Sequence, residues 1–132
     1  MDVRLVADGV FRVGLPGTDY SSPALAAPPL DGEAASLDGV LDVEFAGFES
    51  DRPRLVVRRA DGERFFACGE RTAGLEKTGS HQVFWNIDPP AGHTASFNNL
   101  YTSIPFVLSL RAGRAHGVLF DNTGRVEIDL AK

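Results

Sequence analysis

Chain breakers limit the fold of this chain more than any other feature of its sequence. The 132 residues include 14 glycines and 8 prolines, spread so that few helix-length windows lack one of them. Proline disrupts a helix interior and glycine weakens it, which leaves little room for helices of ordinary length. Short apolar runs recur between the breakers instead, as is typical of β-strands. The sequence therefore predicts an all-β fold with very low helix content.

The apolar runs are spaced regularly and separated by turn residues, a pattern that predicts an antiparallel β-sandwich. They cover residues 10–15, 40–45, 54–60, 64–67, 106–111, 114–120 and 126–130. In the run 40–45 every odd-numbered residue is apolar, so these residues are predicted to share the buried face of a strand. In the run 126–130 the even-numbered residues are apolar and the odd-numbered ones acidic, which predicts one buried and one solvated face.

Three turns are expected to join antiparallel neighbours. Asp61-Gly62 stands between two apolar runs, and an Asp-Gly pair in that position is a strong hairpin signal. Ala112-Gly113 and the turn at residues 122–124 occupy the same kind of position further along the chain. The last three runs are therefore predicted to form an antiparallel meander.

Two segments lack a strand pattern. Residues 21–32 are rich in proline and alanine and are predicted to form an extended loop. Residues 69–102 contain only one apolar run, at 83–85. A stretch of this kind inside a compact domain is usually functional, so we expect a binding site there.

Charge and cysteine content exclude several classes of function. The net charge of -5 argues against sequence-independent binding of nucleic acid, and the arginines at 52, 54, 58 and 59 are better explained as a solvated strand face. The single cysteine, Cys68, excludes an internal disulfide or a cysteine-based zinc site, and we expect it to be a buried apolar residue. His81, His93 and His116 lack the close spacing of metal ligands. No cofactor is predicted.

The length of the chain and its first residues indicate how many domains it has and where it is located. A chain of 132 residues has the size of one domain, which excludes a (β/α)₈ barrel of about 250 residues. The first residues do not resemble a signal peptide, and no stretch resembles a membrane helix. We therefore expect a single cytoplasmic domain over residues 1–132, without a membrane partner.

Three carboxylates, Glu70, Asp88 and Asp121, are candidates for acid–base or binding chemistry. Asp88 is the most interesting, because Pro89-Pro90 stiffens the chain after it and would fix the direction of its side chain. The alternative is that Asp88 only caps a local bend. Trp85, three residues earlier, is expected in the core more often than as a platform for sugar.

The second half of the chain resembles glycoside hydrolase family 31, which includes α-glucosidases and α-xylosidases. The resemblance lies in five motifs that occur in the order of the family: residues 65–72 (Phe-Phe-Ala-Cys-Gly-Glu-Arg-Thr), 74–75 (Gly-Leu), 85–88 (Trp-Asn-Ile-Asp), 100–106 (Leu-Tyr-Thr-Ser-Ile-Pro-Phe) and 117–123 (Gly-Val-Leu-Phe-Asp-Asn-Thr). It implies the N-terminal β-sandwich of that family, which has a galactose-mutarotase-like fold and precedes the catalytic barrel.

The resemblance also implies a division of roles. Members hydrolyse α-linked glucosides with retention, using two aspartates of the barrel, so no residue of this chain is expected to be catalytic. In the family the Asn-x-Asp loop, here Asn86 and Asp88, reaches the mouth of the barrel and helps to bind the sugar. Pro89 and Pro90 stand where some members carry a hydroxyl residue. Ala67 and Cys68 depart from the glycine and large apolar residue that are usual there.

Three hypotheses for function follow. In the first, the chain is an accessory domain that supports the barrel and lends a loop to the sugar-binding rim, with an α-linked glucoside or oligosaccharide as ligand. The second is a stand-alone carbohydrate-binding module. The third is a small mutarotase-like epimerase, which would need a longer sandwich. Because the sequence stops at Lys132, before the last strands usual in the family, we also expect self-association through edge strands at residues 118–130.

Overall fold

The structure, a computed structural model, describes residues 1–15, 32–94, 96–97, 99–122 and 124–131. These residues form ten β-strands and no α-helix, which confirms the all-β class. The strands are β1 (Asp2–Ala7), β2 (Val10–Gly14), β3 (Glu33–Ala34), β4 (Val43–Glu49), β5 (Arg52–Val57), β6 (Arg64–Ala67), β7 (His81–Phe84), β8 (Phe106–Arg111), β9 (Arg114–Leu119) and β10 (Val126–Asp129). The predicted loop at 21–32 lies outside the described residues, except for Gly32.

All strand pairs are antiparallel, and the chain divides into two compact units, Met1–Arg59 and Ala60–Lys132. No helix in the described part of the chain is long and apolar enough to cross a membrane.

The first unit contains a three-stranded sheet in the order β2-β1-β3 and the hairpin β4-β5. Val3 of β1 is buried and pairs with Val13 of β2, while Leu37 is buried in the segment after β3. The arginines of β5 are solvated, as expected: Arg54 is ion-paired with Glu49 on the neighbouring strand at 2.8 Å.

The strand predicted at residues 40–45 is displaced along the chain. In the structure β4 begins at Val43 and continues to Glu49, and its register with β5 shifts between Val43 and Phe45. Phe45 is consequently 43% exposed, although alternation placed it on the buried face. An extra residue in one strand reverses the face on which later side chains lie, which explains the error.

The second unit contains the sheet β6-β8-β9 and the two-stranded sheet β10-β7. Both sheets contribute to one core, made of Cys68, Phe84, Val107 and Leu130 with Phe65, Val126 and Ile128 packed against it. The two sheets of this unit therefore pack as a sandwich.

One of the three predicted turns is confirmed as a hairpin. Ala112 and Gly113 join β8 to β9, and both have positive φ, at +48° and +77°. Positive φ at both central residues is characteristic of the type I′ turn, whose twist matches that of the flanking strands.

The predicted hairpin at Asp61-Gly62 is wrong, because β5 pairs with β4 and β6 pairs with β8. The turn itself exists: Glu63 N donates to Ala60 O at 3.1 Å. Asp61 O accepts a hydrogen bond at 3.2 Å from Arg111, at the end of β8. The turn therefore reverses the chain locally while β8 provides the partner for the strand that follows.

The turn at residues 122–124 does not join antiparallel neighbours either. Asn122 Oδ1 accepts a hydrogen bond from Gly124 N at 2.7 Å, which is a local turn of the expected type. The following strand, β10, pairs with β7 rather than β9. Its alternation is nevertheless as predicted, since Val126 and Ile128 are half-buried while Glu127 and Asp129 are exposed.

Candidate functional site

The loop that follows β7 contains the predicted binding residues. β7 ends at Phe84, which is 1% exposed and pairs with Val126 of β10. Successive side chains of a strand alternate between faces, and Trp85 continues that alternation outwards with 51% of its surface exposed. The expectation that Trp85 belongs to the core is therefore wrong.

Asn86 and Asp88 both lie on the exposed side of this loop. Among the described residues, neither side chain has a hydrogen-bond or ion-pair partner. The backbone between them is fixed, because Ile87 N donates to the carbonyl of the buried Leu100 at 3.1 Å. The buried Pro89 holds the exit of the loop. The loop thus presents two polar side chains from an anchored backbone.

The alternative role of Asp88 as a turn cap does not occur in the structure. An aspartate in such a turn accepts from a backbone N–H two residues further on. That residue is Pro90, which has no N–H, and Pro89 between them has none either. The two prolines that stiffen the loop therefore also leave the Asp88 carboxylate without the usual local donors.

Hydrogen bonds also tie residues 69–72 to the segment that anchors the loop. Thr72 Oγ1 donates to Phe97 O at 2.8 Å, and Thr102 N donates to Glu70 Oε2 at 3.2 Å. At Gly69, an added Cβ would lie 2.8 Å from Ile104 Cβ, so only glycine permits this approach. Residues 69–72 are therefore held against Phe97, Thr102 and Ile104, and Glu70 provides one of these contacts.

Arg71 was not predicted as a site residue, yet it ties segment 69–72 to β7. Its guanidinium donates to Val83 O at 2.7 Å and to Cys68 O at 3.2 Å, and it stacks on the Phe84 ring at 4.4 Å from the centroid. Burial lowers the pKa of Arg71 below its usual value. One sequence feature could have indicated this role of Arg71: it is a cation within the family motif at residues 65–72, shortly after an apolar strand.

Cys68 is fully buried, which confirms that it serves as a small apolar residue. Burial raises the pKa of its thiol, and the nearby charges of Arg71 and Lys77 oppose that shift. A thiol in this environment remains protonated and unreactive.

Exposed aromatic rings flank the loop. Tyr101, which follows the anchoring Leu100, is 52% exposed. The His93 ring makes edge contacts with Tyr101 and Phe97, each with 5.8 Å between centroids. Trp85 and Tyr101 thus belong to two segments that the Ile87–Leu100 hydrogen bond holds side by side.

The remaining candidates are not brought into this arrangement. Asp121 is exposed after β9 and has no hydrogen-bond or ion-pair partner among the described residues. His81 Nε2 lies 3.4 Å from Glu127 on the adjacent strand, and His116 is half-buried on β9. The described residues hold no cluster of three or more potential metal ligands.

This geometry suits binding of a polyhydroxylated ligand. Asn86 offers amide donors and an acceptor, Asp88 offers a carboxylate acceptor, and the aromatic rings offer apolar faces. Retaining hydrolysis needs two carboxyls about 5 Å apart across one bond. Glu70, another of the candidate carboxylates, already accepts a hydrogen bond from Thr102 N at 3.2 Å.

Two comparisons place the chain among known proteins. Residues 30–129 match the family described as "Glycosyl hydrolase 31 N-terminal galactose mutarotase-like domain". Alpha-glucosidase 2 of Bacillus thermoamyloliquefaciens is 38% identical over 69 residues, which amount to 52% of this chain. The matched region is 9% of that relative, so the chain corresponds to a small part of its length.

Proposed function

The chain belongs to the family of glycosyl hydrolase 31 N-terminal galactose mutarotase-like domains, and from this premise we propose that it is the accessory β-sandwich of a retaining α-glucosidase-like hydrolase. In this role it supports a catalytic barrel and lends the loop at Asn86 and Asp88 to the rim of the sugar-binding site. The ligand is an α-linked glucoside or oligosaccharide.

This proposal depends on one observation: the Asp88 carboxylate is exposed and has no partner among the described residues, while the backbone of its loop is anchored. An anchored loop loses little conformational freedom when a ligand binds, so more of the interaction energy appears as affinity. Hydrogen bonds from sugar hydroxyls to a carboxylate are charge-assisted and therefore stronger than neutral ones. Asp88 and Asn86 would orient the sugar, while both catalytic carboxyls come from the barrel.

Alpha-glucosidase 2 of Bacillus thermoamyloliquefaciens is consistent with this division of roles between sandwich and barrel. It is an alpha-glucosidase, and the region matched by the present chain is a small fraction of it. The chain alone should therefore have no hydrolytic activity, although it contributes to sugar binding and supports the barrel. It should not turn over a nitrophenyl α-glucoside above background. Turnover that co-purifies with the chain and disappears in Asp88→Ala or Glu70→Ala would contradict the accessory role.

The decisive experiment replaces Asp88 in the complete glycosidase that contains this domain. Loss of a charge-assisted hydrogen bond lowers kcat/KM by about 10- to 100-fold in Asp88→Ala. The melting temperature should hardly change, because Asp88 makes no hydrogen bond within the described domain. Asp121→Ala, an exposed carboxylate outside the loop, is the matched control and should retain wild-type kinetics. Unaltered kinetics for Asp88→Ala would overturn the proposal.

A stand-alone carbohydrate-binding module remains a second candidate, favoured by the exposure of Trp85 and Tyr101. Stacking of a sugar ring on an exposed aromatic face is the usual basis of such binding. Trp85 is the one tryptophan in the chain, so its fluorescence reports directly on this surface. Saturable quenching of the isolated chain by maltooligosaccharides would support the module, and its absence would favour the accessory role.

A further inference from the structure

A cavity of about 180 Å³ lies in the second unit, beside the start of β7. It is lined by residues 71–74, 76–77 and 80–82 and by Phe97. At about 30 Å³ per water molecule, the cavity has room for a group of several heavy atoms.

The side chain that distinguishes this cavity is Lys77. The residue is only 6% exposed, although lysine is rarely buried unless its charge is paired. Its backbone is fixed, since Lys77 N donates to Phe65 O of β6 at 2.7 Å. The ammonium donates one hydrogen bond, to Thr72 O at 3.2 Å. An ammonium carries three donors, so two are left without a partner among the described residues.

The other charged groups of the cavity do not neutralise Lys77. Glu76 also lines the cavity, but its carboxylate is held by Arg64 of β6 through contacts of 3.0 and 2.5 Å. His81 faces Glu127 at 3.4 Å. Arg71 adds a second positive charge to the wall. The lining residues therefore include two cations, Lys77 and Arg71, against one carboxylate, Glu76, which Arg64 already pairs. A buried cation is costly without a counter-charge.

We propose that this cavity binds a small oxyanion, a phosphate or a carboxylate group, with the Lys77 ammonium as its principal donor. The anion accepts the two donors that the Thr72 carbonyl does not use, and the positive charge of Arg71 strengthens its binding. Ser80 and Gln82, joined by a hydrogen bond of 2.9 Å, form the polar side of the same cavity.

A titration of the wild-type chain tests this directly. Lys77 and Lys132 are the two lysines of the sequence, so carbon-13 labelling of lysine gives two resolvable sets of side-chain signals. Inorganic phosphate is added at constant pH and ionic strength, with chloride as the reference anion. We expect the Lys77 Cε signal to shift and saturate while the Lys132 signal follows the chloride reference. Equal or linear shifts of both lysines, or none, would overturn the proposal.

Variants provide a second, independent measurement by isothermal calorimetry. Lys77→Met keeps the length of the side chain and removes its charge, and we expect it to weaken phosphate binding by about tenfold or more. Lys77→Arg should retain binding. Arg114→Gln removes one positive charge from the exposed surface of β9 and is the control for non-specific attraction. Equal affinity in Lys77→Met and wild type, or equal loss in Arg114→Gln, would contradict the site.

The same titration with acetate distinguishes the two sources of the anion. Acetate binding more tightly than phosphate identifies a carboxylate, such as an acidic side chain, as the natural occupant. The reverse order identifies a phosphate group. The wild-type titration gives its result even if Lys77→Met fails to fold.

Discussion

The hydroxyl of Ser109 donates a hydrogen bond to the carboxylate of Glu63, joining the middle of β8 to the turn before β6 across 46 residues of sequence. Both residues are buried, with 3% and 9% of their surfaces exposed. Glu63 also accepts a hydrogen bond from Ala60 N at 2.8 Å, so its carboxylate holds the turn and β8 together. This contact compensates for the absence of a hairpin at Asp61-Gly62.

We expect Ser109→Ala to destabilise the chain by about 1.5–3 kcal/mol, because a buried carboxylate loses a donor that no water replaces. Urea denaturation measures the difference directly. Ser96→Ala is the control, since that exposed hydroxyl bonds to the Thr94 hydroxyl on the surface, and its loss should cost less than about 0.5 kcal/mol. Equal stability of both variants would show that the Ser109–Glu63 bond contributes nothing net.

Part of this arrangement was predictable from the sequence, because some signals are local. The alternation of 126–130 and the hairpin turn at Ala112-Gly113 depend on residues within a few positions of one another, and both are as predicted. The choice of pairing partner is not local. The pairing partner depends on which strand, often distant in sequence, completes a buried face. The Asp61-Gly62 pair therefore indicated the turn correctly, but the hairpin predicted from it is wrong.

The site was predictable to a similar extent. The motif around Asn86 and Asp88 indicated the loop, and the structure places both side chains in solvent. Their role in binding sugar stays a prediction. The burial of Lys77 could not be predicted, because no pattern near it distinguishes a buried lysine from a solvated one. Whether Trp85 is buried or exposed depends on which alternate residues of β7 face the core. That is known only once the bounds of the strand are known.

A second prediction concerns backbone strain where β6 ends. Ala67, Cys68 and Gly69 have φ of +74°, +68° and +67°, so three consecutive residues adopt the left-handed conformation. For a residue with a Cβ this costs about 1–2 kcal/mol, whereas glycine adopts it freely. Glycine also gives the unfolded chain more freedom, which offsets part of the gain. Ala67→Gly should therefore stabilise the chain by about 0.5–1 kcal/mol.

The matched control for Ala67→Gly is Ala115→Gly on β9, an exposed strand position outside the residues with positive φ. There glycine relieves no strain and only adds freedom to the unfolded chain, so stability should fall by about 0.5–1 kcal/mol. Thermal or urea denaturation should thus give opposite signs for the two variants. Destabilisation by both would show that the left-handed turn is not strained.

A third prediction concerns acid stability. Hydrogen bonds from Arg64, with a further one from Thr78, lower the pKa of Glu76 from 4.5 to about 2. A carboxyl whose pKa is lower in the folded state stabilises the fold above its unfolded pKa, and the stabilisation is lost as the pH falls through its folded pKa. The chain should therefore lose this contribution between about pH 4.5 and pH 2.

Melting temperatures measured across that pH range test the assignment. Glu76→Gln has no carboxyl to titrate and should show a smaller fall in melting temperature than the wild type. Arg64→Met removes the principal cause of the shift and should flatten the profile in the same way. Profiles of both variants that run parallel to the wild type would assign the acid sensitivity to other groups.

A fourth prediction concerns the outer edge of β9. In the sheet β6-β8-β9 this strand pairs with β8 on one side, and the described residues place no strand on its other side. Leu119 at its end is 60% exposed. An unpaired edge with apolar residues is a template for pairing with another chain. The isolated chain should therefore self-associate through β9, whose last residues, Val118 and Leu119, fall within the region 118–130 expected from the sequence.

Light scattering coupled to size-exclusion chromatography measures this association over a range of protein concentrations. A lysine at a strand edge opposes pairing, because its charge would be brought against the partner strand and desolvated. Leu119→Lys should therefore shift the chain towards the monomer. Leu75→Lys introduces the same charge at a leucine that is 77% exposed and lies outside the strands, and it should leave the association unchanged. A wild-type chain that stays monomeric at every concentration would show that the edge of β9 is already protected.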